Sequence, residues 1–216
     1  MSSLRYKYQT IEFGNMDIHI RTLKDTQQFY DKNNEAKNLG IYSSSWSLFG
    51  VLWPSSQVLA NYIYQLNTVS KRILEVGCGI GLSSLVLNHL HQDITATDYH
   101  PEVKGFLSKN SDLNNDKEIP FYRLDWKDEI LEKVGKFDLI IGSDLLYEQN
   151  HGILLSNFIN QYANNKCEVI IVDPSRGNHS KFKSKMINFG FTYKKIDTLN
   201  YSDNEFKGSI HQYKKG

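Results

Sequence analysis

The stretch Glu75-Val76-Gly77-Cys78-Gly79-Ile80-Gly81 is where residue types and spacing in this 216-residue chain first suggest chemistry. Glycines permit positive φ and let a backbone approach a ligand closely. A short apolar run precedes the loop and a helical pattern follows it, the context in which such a loop holds a nucleoside or a phosphate. The spacing is G-x-G-x-G. A nicotinamide-type fingerprint needs G-x-G-x-x-G, and that register puts Leu82 where the third glycine belongs. A P-loop needs Gly-Lys-Ser/Thr, and the loop has no lysine. Glu75, two residues before the first glycine, could hold the amino group of a zwitterionic ligand, directly or through water. Asp98 ends the next apolar run and is placed to accept both hydroxyls of a ribose.

The carboxylates form a wider pattern. Asp98, Asp125, Asp144 and Asp173 each follow an expected strand. In a doubly wound sheet the carboxyl ends of the strands line the ligand crevice, although an aspartate after a strand is also ordinary turn chemistry. Tyr147 lies three residues beyond Asp144, so a turn or helix start could aim both at one site. The histidines at 19, 89, 91, 100, 151, 179 and 211 include no pair at i, i+4 and no cysteine partner at ligand spacing. No metal site is expected, and no histidine is marked by its neighbours as a base.

The elements that must position these groups alternate. Arg72–Val76, Ile94–Thr97, Ile119–Leu124, Phe137–Ile141 and Glu168–Val172 read as strands. Between and after them, Leu82–Leu90, Glu102–Leu113, Ile153–Tyr162 and Lys181–Phe189 read as helices. Two alternating runs, 191–198 and 208–214, close the chain as strands without a helix between them, which suggests an antiparallel pair at one edge. This order predicts an α/β fold, a Rossmann-like, doubly wound, mostly parallel seven-stranded sheet with helices on both faces. Before it, residues 1–23 read as a β-hairpin turning at Gly14-Asn15. Asp25–Lys37 is polar and weakly helical, and Tyr42–Trp46 reads as serine-rich loop. Trp53-Pro54 opens a helix with Val58, Leu59, Tyr62, Ile63 and Leu66 on one face. Asn114-Asn115 and Asn164-Asn165 look like turns. The expected organisation is one structural domain, with residues 1–52 as a hairpin and extension packed on a core of residues 53–216.

Composition excludes several classes. Apolar residues make up 40% and charged residues 23%, so a packed core is expected. Lysine and arginine number 25 against 24 acids, a formal charge of +1 that argues against a polybasic nucleic-acid or membrane-surface protein. The two cysteines, Cys78 and Cys167, form no C-x-x-C pair, and a reducing cytoplasm is the expected compartment. No apolar run nears the roughly 18 residues needed to span a bilayer, and the N-terminus carries no signal-peptide core.

The alternating core, the acid-x-G-x-G-x-G loop, the following Asp98 and the terminal strand pair resemble the class I S-adenosylmethionine methyltransferases. Shorter elements narrow the resemblance. Leu52-Trp53-Pro54-Ser55 is similar to the W-P-(S/A) element of methyltransferase family 16, the group that contains the seven-strand protein lysine methyltransferases. Leu124-Asp125-Trp126 resembles its L-x-W element, and Ser143-Asp144-Leu145-Leu146-Tyr147 its D-x-x-Y element. The order and spacing of these motifs agree over roughly residues 10 to 195. Asp173-Pro174-Ser175-Arg176 resembles an element of bacterial members close to the electron-transfer-flavoprotein lysine methyltransferases and the nicotinamide-N-methylase-like proteins.

The resemblance implies S-adenosyl-L-methionine as cofactor, with S-adenosyl-L-homocysteine as product. Gly77, Cys78, Gly79 and Gly81 would pass its methionine and ribose parts, with Glu75 at the amino group. Asp98 would bind the ribose and Tyr99 would cover the adenine. Asp125 and Trp126 would take the adenine amino group and ring face, and Trp53 would close the pocket. Ser143 and Asp144 would lie nearest the sulfonium, and Tyr147 would shape the acceptor channel. Asp144 and Tyr147 are the candidate catalytic pair. The implied acceptor is a lysine amino group of a protein, with a small amine, or a non-catalytic cofactor-binding module, as the alternatives. Amino-group nucleic-acid methyltransferases carry (D/N/S)-P-P-(Y/F) at this strand end, and the prolines are missing here, so a nucleic-acid acceptor is not expected. The sequence leaves the oligomeric state and the role of the polar 200–208 segment open.

Overall fold

The computed structural model describes residues 4–25, 31, 33–175, 177–198, 201 and 206–216. Arg176 and most of the 200–208 segment lie outside the described residues, as does part of the Asp25–Lys37 stretch.

Seven strands form one sheet: β3 (Arg72–Val76), β4 (Asp93–Asp98), β5 (Phe121–Arg123), β6 (Phe137–Ser143), β7 (Ala163–Asp173), β8 (Thr192–Ile196) and β9 (Ser209–Lys215). Their order is β5-β4-β3-β6-β7-β9-β8. The central strands are parallel, and β9 is antiparallel to both β7 and β8. Ile73, Leu74 and Val76 on β3, Leu139–Ile141 on β6 and Val169–Val172 on β7 are fully buried. Continuous apolar strands of this kind need helices on both faces.

Helices supply that cover. α2 (Pro54–Tyr64), α3 (Leu82–His89) and α4 (Val103–Leu113) share one buried cluster, which includes Leu59, Ile63, Leu85 and Phe106. α5 (His151–Tyr162) and α6 (His179–Asn188) share the other, through Phe158, Ile159, Phe182 and Met186. α2 begins with proline at its first helical position, where no amide hydrogen is missed.

The N-terminal hairpin pairs β1 (Tyr6–Phe13) with β2 (Met16–Leu23) across Gly14-Asn15, as a separate two-stranded sheet. Ile18 and Ile20 are fully buried. The outer edge of β2 meets α4 instead of another strand. Asn114 accepts from the His19 amide at 2.8 Å and donates to the His19 carbonyl at 2.8 Å. Asn110 accepts from the Arg21 amide at 2.8 Å. Two carboxamides thus satisfy backbone groups that an edge strand would otherwise leave open.

The structure corrects several sequence expectations. Ser43–Leu48 is a 3₁₀ helix rather than loop, and α1 within the polar stretch is only Glu35–Asn38. β5 is limited to three residues. β7 starts at Ala163, so Asn164-Asn165 lie within a strand, with the Asn164 amide donating to Asp138 at 2.7 Å. Asn115 does turn the chain, at φ 55 just past α4.

Candidate active site

Chain order reverses across the sheet between β3 and β6, which opens a crevice at their carboxyl ends. A cavity of about 280 Å³ lies there. It is lined by Trp53, Gly77, Cys78, Gly79, Asp98, Tyr99, Asp125, Trp126, Ser143, Asp144 and Tyr147. Glu75 and Gly81, also singled out from the sequence, do not line it.

Glu75 faces inward. It is 3% exposed, and its carboxylate accepts from the Ser84 amide at 2.9 Å and from the Ser84 hydroxyl. The cause lies in Gly81, the N-cap of α3, which has no side chain to satisfy the first-turn amides. Glu75 reaches across to cap the helix instead, where the helix dipole also favours a carboxylate. Burial pushes its pKa up to about 7, against the opposing Ser84 hydrogen bonds. Glu75, expected to hold a ligand's amino group directly or through water, thus caps α3 and stands behind the cavity lining.

The glycine loop leaves space. Gly79 sits at φ +55, and an added Cβ would meet nothing within 4 Å. At Gly77, φ is +61 and a Cβ would stand 2.5 Å from Leu145 Cδ2. Only glycine lets the loop run this close to Leu145. Asp98 holds the loop from the next strand. One carboxylate oxygen accepts from the Gly79 amide at 2.9 Å, the other from the His100 amide at 2.8 Å. Burial raises its pKa despite these bonds.

Beyond β6, Asp144 adopts φ 56, a left-handed conformation that aspartate tolerates better than most residues. Its amide donates to the Val172 carbonyl at 2.9 Å. This kink turns the chain out of the sheet and over the cavity, and local strain of this kind concentrates at working sites. Tyr147 is 45% exposed, with its ring edge-on to His151 at 4.5 Å. Trp126 meets the same imidazole edge-on at 5.1 Å.

The far wall comes from the segment before α2. Ile41, Leu48, Phe49, Gly50 and Val51 line the cavity beside Trp53, whose indole donates to the Leu48 carbonyl at 3.3 Å. The Tyr99 hydroxyl donates to the Leu39 carbonyl. The His100 ring stacks on Phe49 with centroids 4.1 Å apart, and burial lowers its pKa to about 4. Sequence reasoning missed this wall, as well as His100 and His151. The segment has no hydrophobic period, and the only signal near it was Trp53-Pro54. Among the described residues, no group of three or more histidines, cysteines or acids is arranged to hold a metal ion.

The site's fold has solved counterparts. Magnesium protoporphyrin IX methyltransferase from Synechocystis, determined with bound SAM, superposes with a TM-score of 0.58 at 17% identity, covering 75% of this chain and 78% of that one. At this identity the match shows a shared fold. In sequence, the chain is 31% identical over 153 residues to a histidine protein methyltransferase 1 homolog of Dictyostelium discoideum, covering 67% of this chain and 47% of that protein. It is 26% identical over 167 residues to calmodulin-lysine N-methyltransferase of Arabidopsis thaliana, covering 72% and 54%. The chain thus spans about half the length of the curated relatives it matches. The methyltransferase 16 profile, described as lysine methyltransferase, matches residues 16–188 and so takes in the glycine loop, Asp98, the β6–α5 turn and all of α6. The chain belongs to the methyltransferase 16 family of lysine methyltransferases.

Proposed function

We propose that this chain uses S-adenosylmethionine to methylate a lysine side chain of a protein. The observation that carries the reading is the cavity at the β3–β6 crevice, where the glycine loop with its open Gly79 backbone, the Asp98 carboxylate and the kinked Asp144 meet. The residues present suit this cofactor. The bare backbone at Gly79 leaves room for a ligand chain, and Asp98 retains lone pairs for ribose hydroxyls beyond the two amides it accepts. Tyr99, Asp125, Trp126 and Trp53 line the same cavity and suit an adenine ring. When bound, the sulfonium supplies an activated methyl group and its own leaving group.

The protein's task is then alignment and exclusion of water. Ser143 and Asp144 border the reacting end, and Tyr147 flanks the path from solvent. Asp144 attracts and orients an ammonium, and the Trp126 and Tyr147 rings offer faces and edges to its alkyl chain. A protein acceptor is supported by relatives named as protein lysine and histidine methyltransferases. Both cysteines are buried and free, which supports work in a reducing compartment such as the cytoplasm. Among the described residues, no helix is long and apolar enough to cross a membrane.

Tryptophan fluorescence tests the cofactor half of this reading. Trp53 and Trp126 should respond to S-adenosylhomocysteine and not to NAD. Asp98→Ala should weaken the S-adenosylhomocysteine response at least tenfold. An equal response to both ligands, or unchanged affinity in Asp98→Ala, would count against it.

A further inference from the structure

We propose that His151 takes the proton from the methyl acceptor, a role that rests on the lysine-transfer reading above. His151 is the first residue of α5 and lines the cavity beside Asp144, Leu145 and Tyr147. Its Nδ1 lies 2.9 Å from the Leu145 carbonyl oxygen. A carbonyl can only accept, so Nδ1 carries the hydrogen and the neutral ring keeps its lone pair on Nε2. Glu148 Oε2 stands 3.3 Å from Nε2, ready to accept from that nitrogen once it is protonated. The Trp126 and Tyr147 rings meet the imidazole edge-on at centroid distances of 5.1 and 4.5 Å. With the Leu145 hydrogen bond, these contacts hold the ring from three sides. An imidazole fixed in one tautomer on the cavity wall, with a carboxylate beside Nε2 to steady its cation, has the makings of a general base.

The reaction needs such a group. A lysine, with a reference pKa of about 10.4, enters as an ammonium and has no lone pair for attack. Asp144 does not supply the base, because a nearby carboxylate favours the charged amine. Tyr147 and Glu148 contact His151 from the β6–α5 connection, and Asp144 and Asp125 line the same cavity. In the step, one N–H bond of the ammonium breaks and its proton moves to His151 Nε2. The electron pair stays on the amine nitrogen and forms the bond to the methyl carbon. The carbon–sulfur pair leaves with sulfur and cancels the sulfonium charge. The imidazolium then passes its proton to water on the Glu148 side, where that side chain is 63% exposed.

The test is the pH dependence of labelled methyl transfer from S-adenosylmethionine into heat-treated cell-extract protein. Wild type is compared with His151→Gln, His151→Phe and His151→Ala, and S-adenosylhomocysteine affinity is measured for each as a check on folding and cofactor binding. At pH 7 both His151→Gln and His151→Phe should lose about 10²-fold in rate, with cofactor affinity within about twofold of wild type. Their rates should climb towards wild type as pH rises and the acceptor loses its proton unaided. Added imidazole should restore part of the rate of His151→Ala. A loss that is equal at every pH, a profile that superimposes on wild type, or an absence of imidazole rescue in a variant that binds cofactor would overturn the proposal. A wild type that binds cofactor but labels no protein would overturn the lysine-transfer reading, and this proposal with it.

Discussion

Glu75 shows how far a single residue can be read from its spacing. The acid-x-G-x-G-x-G pattern placed the loop correctly, but the carboxylate turns into the protein and caps α3 through Ser84. The clue was present in the sequence, since a helix opening on Gly81 has no capping side chain of its own. What the sequence could not supply was the distance between a strand residue and that helix end. A pH signature follows. The folded-state pKa of about 7 lies above the ordinary carboxylate value, so the folded chain holds a proton that the unfolded chain releases. The stability contributed by Glu75 is fully present below about pH 4.5 and is lost as the pH rises through about 7. Chemical denaturation across that window should show Glu75→Gln with a flatter pH dependence than wild type, its relative stability improving as pH rises. Identical slopes would mean that Glu75 is not the protonated cap described. Asp144 presents the opposite case: its position after a strand was legible, and its left-handed backbone was not, because φ cannot be inferred for a non-glycine residue from type alone.

At the scale of elements, the regular helices and strands were the most legible, because a period of 3.6 or a continuous apolar run is a property of local sequence. The β3 loop, α2 with its leading proline, and the hairpin turn at Gly14 all fall where periodicity and turn residues put them. The segment before α2 was not legible. Its Ser43–Leu48 turn and the Phe49–His100 stack are fixed by the cavity they wall, and neither leaves a repeating pattern. The docking of the hairpin was equally hidden, since Asn110 looks like an ordinary polar helix residue and Asn114 like a turn residue until β2 lies beside them. Both are buried, and both bond backbone groups of the hairpin. Asn110→Ala and Asn114→Ala should each lower stability by about 1–3 kcal/mol, because a paired backbone group is left without its partner. Hydrogen exchange should locate the effect at the His19 and Arg21 amides. Unchanged protection there would show that α4 does not hold the hairpin through these carboxamides.

At the scale of the whole molecule, strand–helix alternation sufficed for the parallel core, and the crevice at its carboxyl ends follows from topology. The missing helix before the last strand foretold that strand's reversal. It did not foretell its insertion between β7 and β8, which depends on pairing between residues far apart in the chain. The site draws its wall from both ends of this architecture, from residues near 41–53 and from the β6–α5 turn, so ligand binding should stabilise the molecule globally. S-adenosylhomocysteine at a hundred times its dissociation constant should raise the melting temperature by about 5–10 °C, whereas NAD should leave it unmoved. A shift of similar size with NAD would point to a different nucleotide site.

The most direct test of the central claim is to identify the amino acid that receives the methyl group. Extract protein labelled by the wild-type chain from methyl-labelled S-adenosylmethionine would be hydrolysed, its amino acids separated, and the label assigned, with Asp144→Ala as the control. The account predicts label in methylated lysine, and its near-disappearance with the variant. Label in methylhistidine, or only in small molecules that survive removal of protein, would contradict it.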